Sequence, residues 1–144
     1  MTLYLDTSSL VKLYVEEVGS GDVRGLVAQA TVVTTSIVAY PETRAALARL
    51  RRGGDLSPAK CAAAKRAFEA QWAAFLTLEV TASVSREAGA FAEEYALRGF
   101  DALHLASFAE IARRAGPAAT RFSSFDDRLN EAARDVSRQL QKGR

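Results

Sequence analysis

Four short runs of β-branched and apolar residues, at positions 2–5, 31–36, 76–80 and 121–124, are separated everywhere by stretches of helical periodicity. That alternation is the feature that most restricts the fold. Strands separated by helices pair in parallel through right-handed crossovers, with helices covering both faces of the sheet. The pattern therefore predicts an α/β protein: a three-layer α/β/α sandwich around a small twisted parallel sheet.

The helical stretches have readable punctuation. Thr7 or Ser8 is placed to cap a helix carrying Leu10, Val11, Leu13, Tyr14 and Val15, and residues 22–30 put Val23, Leu26, Val27 and Ala30 on one face. A long helix is predicted over 37–52, with Pro41 near its first turn and Gly53-Gly54 at its end. Ser57-Pro58 then opens a helix with Cys61, Ala64, Phe68, Trp72 and Phe75 at helical spacing. These two helices read as a hairpin whose aromatic stripe is core. Val84, Ala88, Phe91 and Tyr95 mark a further amphipathic helix, ended by Arg98-Gly99. Residues 100–114 are apolar on most sides, the pattern of a helix buried in the middle of a fold. A short helix is predicted over 126–133. One domain is expected over 1–133, with 134–144 as a polar, basic tail that frays or forms a weak edge strand.

At 144 residues and 49% apolar content the chain can bury a core and does not resemble a disordered segment. Its formal charge of +2 names no partner by itself. The single cysteine, Cys61, excludes an internal disulfide, and with His104 as the only histidine there is no zinc-ligand spacing. The first strand leaves no room for a signal peptide and no apolar run reaches membrane-spanning length, so a cytoplasmic protein with no membrane association is expected.

The informative residues are acids. Asp6 ends the first strand, Glu42 lies early in the helix after the second, Asp101 enters the apolar helix, and Asp126 follows the fourth strand. In an open parallel sheet such positions meet at the C-terminal edge, where α/β proteins place their sites. Clustered carboxylates repel one another unless a cation joins them, and hard divalent ions prefer their oxygens. The four acids thus form a candidate Mg²⁺ or Mn²⁺ site for hydrolysis at a phosphate, with metal-activated water as nucleophile. If they share one cleft, the remaining surface is more basic than the net charge suggests, and a phosphate backbone could rest there.

Each acid also has a plainer role. Asp6 and Asp126 suit helix N-caps, and Glu42 suits a solvated helix face. Asp101 is harder to explain away, because an unpaired charge entering an apolar helix is costly. His104, one turn after Asp101, reads as a packed, hydrogen-bonded histidine or as a contact to substrate. Asp127 reads as helix-start charge. Arg49, Arg51 and Arg52 form either a solvated face or an RNA contact. Lys12, Arg44 and Arg98 either pair with the acids or bind phosphate.

The segments around Leu5-Asp6-Thr7-Ser8-Ser9-Leu10, Glu42, Phe100-Asp101-Ala102-Leu103-His104-Leu105-Ala106 and Phe125-Asp126-Asp127-Arg128-Leu129, in this order and spacing, resemble the PIN-domain ribonucleases, in particular the VapC-type toxins of toxin–antitoxin pairs. The resemblance covers nearly the whole chain. It implies Asp6, Glu42 and Asp101 as central acids, Asp126 as a fourth, and Ser124 as a hydroxyl hydrogen-bonded within the site. It further implies Mg²⁺- or Mn²⁺-dependent endoribonuclease activity on tRNA or rRNA, a small antitoxin covering the cleft, and a homodimer. One departure lies at 134–138, where the family often has a glycine-containing apolar strand and this chain is polar.

Two other classes compete. An RNA-binding module with the same fold would bind RNA without cutting it, and binding with intact RNA under every metal would identify it. A phosphorylatable receiver needs an acid pair at the first strand and a lysine after a late one. Here Asp6 stands alone and no lysine lies between Lys65 and Lys142.

Overall fold

The structure is a computed structural model that describes residues 1–143. Strands β1 (Thr2–Leu5), β2 (Val32–Ser36), β3 (Leu76–Leu78) and β4 (Thr120–Ser123) form one sheet in the order β3-β2-β1-β4, with every pair parallel. The chain builds outward from β1 to β2 and β3, then returns to place β4 on the other side of β1. The order of strand addition therefore reverses between β1 and β4, and the crevice at that switch point is where open α/β sheets bind ligands.

Side-chain alternation along β1 divides the core in two. Leu3 and Leu5 face a layer made by α1 (Thr7–Val11), α2 (Ser20–Gln29), α3 (Ala39–Arg52) and α4 (Pro58–Trp72), meeting Leu10, Val23, Ala39 and Phe68. Tyr4 faces the opposite layer, where α6 (Gly99–Ala115) and α7 (Asp127–Lys142) supply Leu105, Phe108, Leu129 and Val136. Helix α5 (Ala82–Glu94) packs Val84 and Ala88 against Ala102 and Ala106 of α6. A single 3-10 turn, Pro117–Ala119, leads into β4. Each fully buried Leu or Phe contributes about 1.5–3 kcal/mol. The expected three-layer architecture is the one observed, and α6 is buried along most of its length.

Polar strand residues are accommodated by pairing. The Thr34 and Thr35 hydroxyls donate to the Leu3 and Leu5 carbonyls at 3.1 and 2.7 Å, so β2 carries buried threonines without orphaned hydroxyls. The α3–α4 hairpin closes over Leu47, Leu56 and Ala64, with Ser57 capping α4 through the Lys60 amide. Phe68 is fully buried and packs edge-on or tilted against Tyr14, Tyr40 and Trp72, in the core as the aromatic stripe predicts. Cys61 is half-buried, with its thiol 3.6 Å from the Leu47 carbonyl.

Two local expectations need correction. The cap of α1 is Asp6, not Thr7 or Ser8: its Oδ1 accepts the Ser9 amide at 3.0 Å, and the regular helix ends at Val11. The second concerns residues 134–142, which continue α7 rather than fraying or pairing as an edge strand. The reason is periodicity. Leu129, Ala132, Ala133 and Val136 are buried at helical spacing and Leu140 packs beside them, while the intervening polar residues face outward. Tyr95 Oη pins the segment by donating to Asp135 Oδ2 at 2.7 Å. Arg144, the last residue of the expected tail, lies outside the described residues.

Candidate active site

Asp6 is the first residue beyond β1, and its amide donates to the Ser123 carbonyl at 3.1 Å, extending the β1–β4 ladder by one bond. The parallel register thus brings the loop after β4 against the end of β1. In that loop Ser124 Oγ donates to Asp6 Oδ2 at 2.5 Å and also accepts the Asp126 amide at 3.0 Å. Ser8 Oγ donates to Asp6 Oδ1 at 2.7 Å and accepts the Phe125 amide at 3.0 Å. Burial pushes the Asp6 carboxyl above its ordinary range, while the bonds from Ser124, Ser9 and Ser8 and the charge of His104 act in the opposite direction.

Glu42 lies in the first turn of α3, and its environment has the opposite net effect. Partial burial opposes ionisation, but bonds from His104 and Thr7 outweigh it and hold the carboxyl below the usual range. His104 Nε2 donates to Glu42 Oε1 at 2.8 Å, and Thr7 Oγ1 donates to the same oxygen at 2.7 Å. The other ring nitrogen, Nδ1, lies 2.8 Å from Tyr4 Oη. The histidine is therefore packed and hydrogen-bonded, and it also anchors a candidate site residue.

Asp101 lies in the first turn of α6, and its carboxylate makes no hydrogen bond or ion pair among the described residues. Burial raises its pKa, and the negative charges of Asp126, Asp6 and Glu42 raise it further against the opposing effect of His104. Asp126 caps α7 through the Leu129 amide at 2.8 Å, so the capping role is real, yet it also faces the same cleft. All four acids line one open cleft of about 650 Å³, together with Lys12, Arg49, Arg98, His104 and Phe125.

The donor set is chemically suited to a hard divalent cation: carboxylate oxygens, one of them unpaired and destabilised by its neighbours' charge. The acids are not drawn into a ready-made cage. Among the described residues, no three acids, histidines or cysteines are close enough together to hold a metal ion as placed. Asp6 and Glu42 are turned toward hydroxyl and imidazole partners instead. Mg²⁺ typically takes one or two protein carboxylates and keeps several waters, so such a spread set fits it.

The basic candidates separate. Lys12 pairs with Glu17 at 3.2 Å inside the cleft, and Arg44 pairs with Glu69 at 2.7 Å outside it. Arg49 and Arg98 line the cleft, and their guanidinium groups have no hydrogen bond or ion pair among the described residues. Arg51 and Arg52 line a separate groove between α3 and α4. Sequence reasoning missed Thr7 as a Glu42 partner and Tyr4 as a His104 partner, because contacts across three elements have no signature in local spacing.

A family model described as the PIN domain matches residues 3–135. Ribonuclease VapC45 and Ribonuclease VapC49, both of Mycobacterium tuberculosis, are each 45% identical to this chain over 105 residues, which is 73% of this chain and 73% of each relative. Among solved structures, Mycobacterium tuberculosis VapC20, described as a sarcin–ricin-loop-cleaving toxin, superposes with a TM-score of 0.64 at 22% identity, covering 90% of this chain and 94% of that one. At that identity the likeness bears on the fold alone.

Proposed function

This chain belongs to the PIN-domain family and resembles its VapC ribonucleases; from that premise we propose that it is an endoribonuclease toxin that cleaves RNA at the acidic cleft with Mg²⁺ or Mn²⁺. The observation that carries the reading is the unpaired Asp101 carboxylate facing Asp6, Glu42 and Asp126 across the switch point of the sheet. A divalent ion held there by these acids would supply an acidified water and offset charge on the scissile phosphate.

The chain's own residues divide the remaining work. Asp6, Glu42, Asp101 and Asp126 are the proposed ligands, some of them acting through water. Ser8 and Ser124 fix both oxygens of Asp6, and His104 with Thr7 fixes Glu42. Arg49 and Arg98, unpaired at the cleft, are the proposed contacts to flanking phosphates. The cleft is open, which suits a polymer better than an enclosed small molecule.

The VapC resemblance extends the proposal to biology: tRNA or rRNA as substrate, a small antitoxin whose segment covers the cleft, a homodimer, and action in the cytoplasm. No helix among the described residues is long and apolar enough to cross a membrane. Incubating purified protein with bulk tRNA tests the chemistry. Cleavage with Mg²⁺ or Mn²⁺ that stops on chelation supports it, and binding that leaves RNA intact under both metals replaces it with the non-cleaving module.

A further inference from the structure

Phe125 is an exposed aromatic residue that the catalytic argument does not use. It is 45% exposed, lines the acidic cleft, and immediately precedes Asp126. Leaving so much aromatic surface in water forgoes burial that would otherwise stabilise the fold. Yet the ring is not loose. Lys12 Nζ stands 4.4 Å from its centroid, and Glu17 holds that ammonium at 3.2 Å. The Phe125 amide is bonded to Ser8 Oγ, which itself binds Asp6.

Gly19 shows how closely the ring is held. Its φ of +93° is a conformation that glycine adopts freely, and a Cβ built there would overlap the ring, standing 2.6 Å from Phe125 Cζ. The chain thus keeps side-chain atoms away from this position and supports the ring with Lys12 and the α2 cap. Phe100, although 56% exposed, does not line the cleft and has no such support. A supported aromatic face beside a phosphate-handling site is the arrangement that stacks nucleic-acid bases.

We propose that Phe125 is a base-stacking platform that receives one unpaired nucleobase next to the cleaved phosphodiester. This rests on the ribonuclease reading above and requires an unstacked base at the cut, since bases inside an A-form duplex have no free face to offer. Lys12, beneath the ring, adds cationic support to the stack. The alternative occupant is a side chain of a protein inhibitor.

The test uses the full chain. Cleavage is first mapped on bulk tRNA, and a short oligonucleotide spanning the mapped site is then assayed with the parent, Phe125→Leu and Phe125→Trp. Leucine preserves apolar packing against Gly19 and Lys12 but has no π face. The expected result is a rise in KM of about 5- to 150-fold for Phe125→Leu, the range of one base stack, with kcat and thermal midpoint nearly unchanged and Phe125→Trp close to parent. An abasic substitution beside the cut should cost the parent as much and cost Phe125→Leu little more, because both remove the same contact. Equal KM for parent and Phe125→Leu, or additive losses with the abasic RNA, overturns the inference. So does unchanged RNA handling with weakened binding of an inhibitor protein. If the parent itself cuts no RNA, the ribonuclease reading fails first and the platform fails with it.

Discussion

His104 Nε2 lies 2.8 Å from Glu42 Oε1 while Nδ1 of the same ring lies 2.8 Å from Tyr4 Oη, so one buried imidazole ties β1 to the first turn of α3. The residue is 2% exposed. Replacing it by alanine removes the phenol's 2.8 Å imidazole partner and one of the two bonds that orient Glu42. Loss of such a buried polar partner costs about 1–3 kcal/mol. His104→Ala is expected to lower the melting temperature by roughly 3–10 °C, with His104→Asn recovering part of it; thermal unfolding checks both. An unchanged melting temperature in His104→Ala would contradict the anchoring role.

Asp101 and Asp6 hold charge that the metal-free fold does not favour. Their carboxyls are raised by burial first, and for Asp101 by neighbouring negative charge next. Asp101→Asn should abolish metal-dependent RNA cleavage and leave the circular dichroism spectrum intact, while raising the metal-free melting temperature at neutral pH. A fall in melting temperature would show that the carboxylate is compensated.

The same shifts give a sign for pH dependence. A carboxyl whose folded pKa is raised binds its proton more tightly in the native state, so stability falls as pH rises from the ordinary carboxylate range through the raised value. Glu42 works oppositely: its pKa is lowered, and its contribution is lost only as pH falls through that lowered value. In chelator, Asp6→Asn and Asp101→Asn should each flatten the loss of stability on the approach to neutral pH, measured by denaturant unfolding across pH. Excess Mn²⁺ should remove the loss in the parent, because a ligand bound only by the native state stabilises it.

Helix α7 gives a structural test. Val136 is 2% exposed in the half of the helix that follows Ala133. Val136→Asp places a charge in the apolar layer beside Leu129 and is expected to cost about 3 kcal/mol or more. Arg134→Gln, on the outer face, should change stability by less than about 0.5 kcal/mol. Equal effects would mean the segment is the detached tail that its polarity suggests.

Much of this was legible in the sequence because it follows from alternation and position. Strand-then-helix order dictated the parallel sheet, and acids at strand ends or first helical turns had to approach its C-terminal edge. Residues 134–142 have the composition of a tail, because only two apolar residues there, Val136 and Leu140, continue the buried stripe among polar neighbours. Asp6 had two competing roles in the sequence, and the structure gives it both a cap and a place in the cleft. The Tyr4–His104–Glu42 chain and the Gly19 support under Phe125 join residues up to 106 positions apart. No local pattern encodes such contacts, since they exist only once β1, α3, α6 and the loop after β4 have been brought together.

The claim on which the rest depends is that the acids at the β1–β4 switch point hold a divalent cation. Calorimetric titration of Mn²⁺ into the chelator-stripped protein tests it most directly, with Asp101→Asn titrated alongside. Saturable binding to the parent, weakened at least about tenfold in Asp101→Asn, is the expected result. Equal affinity in the two proteins, or no saturable binding to the parent, would contradict it.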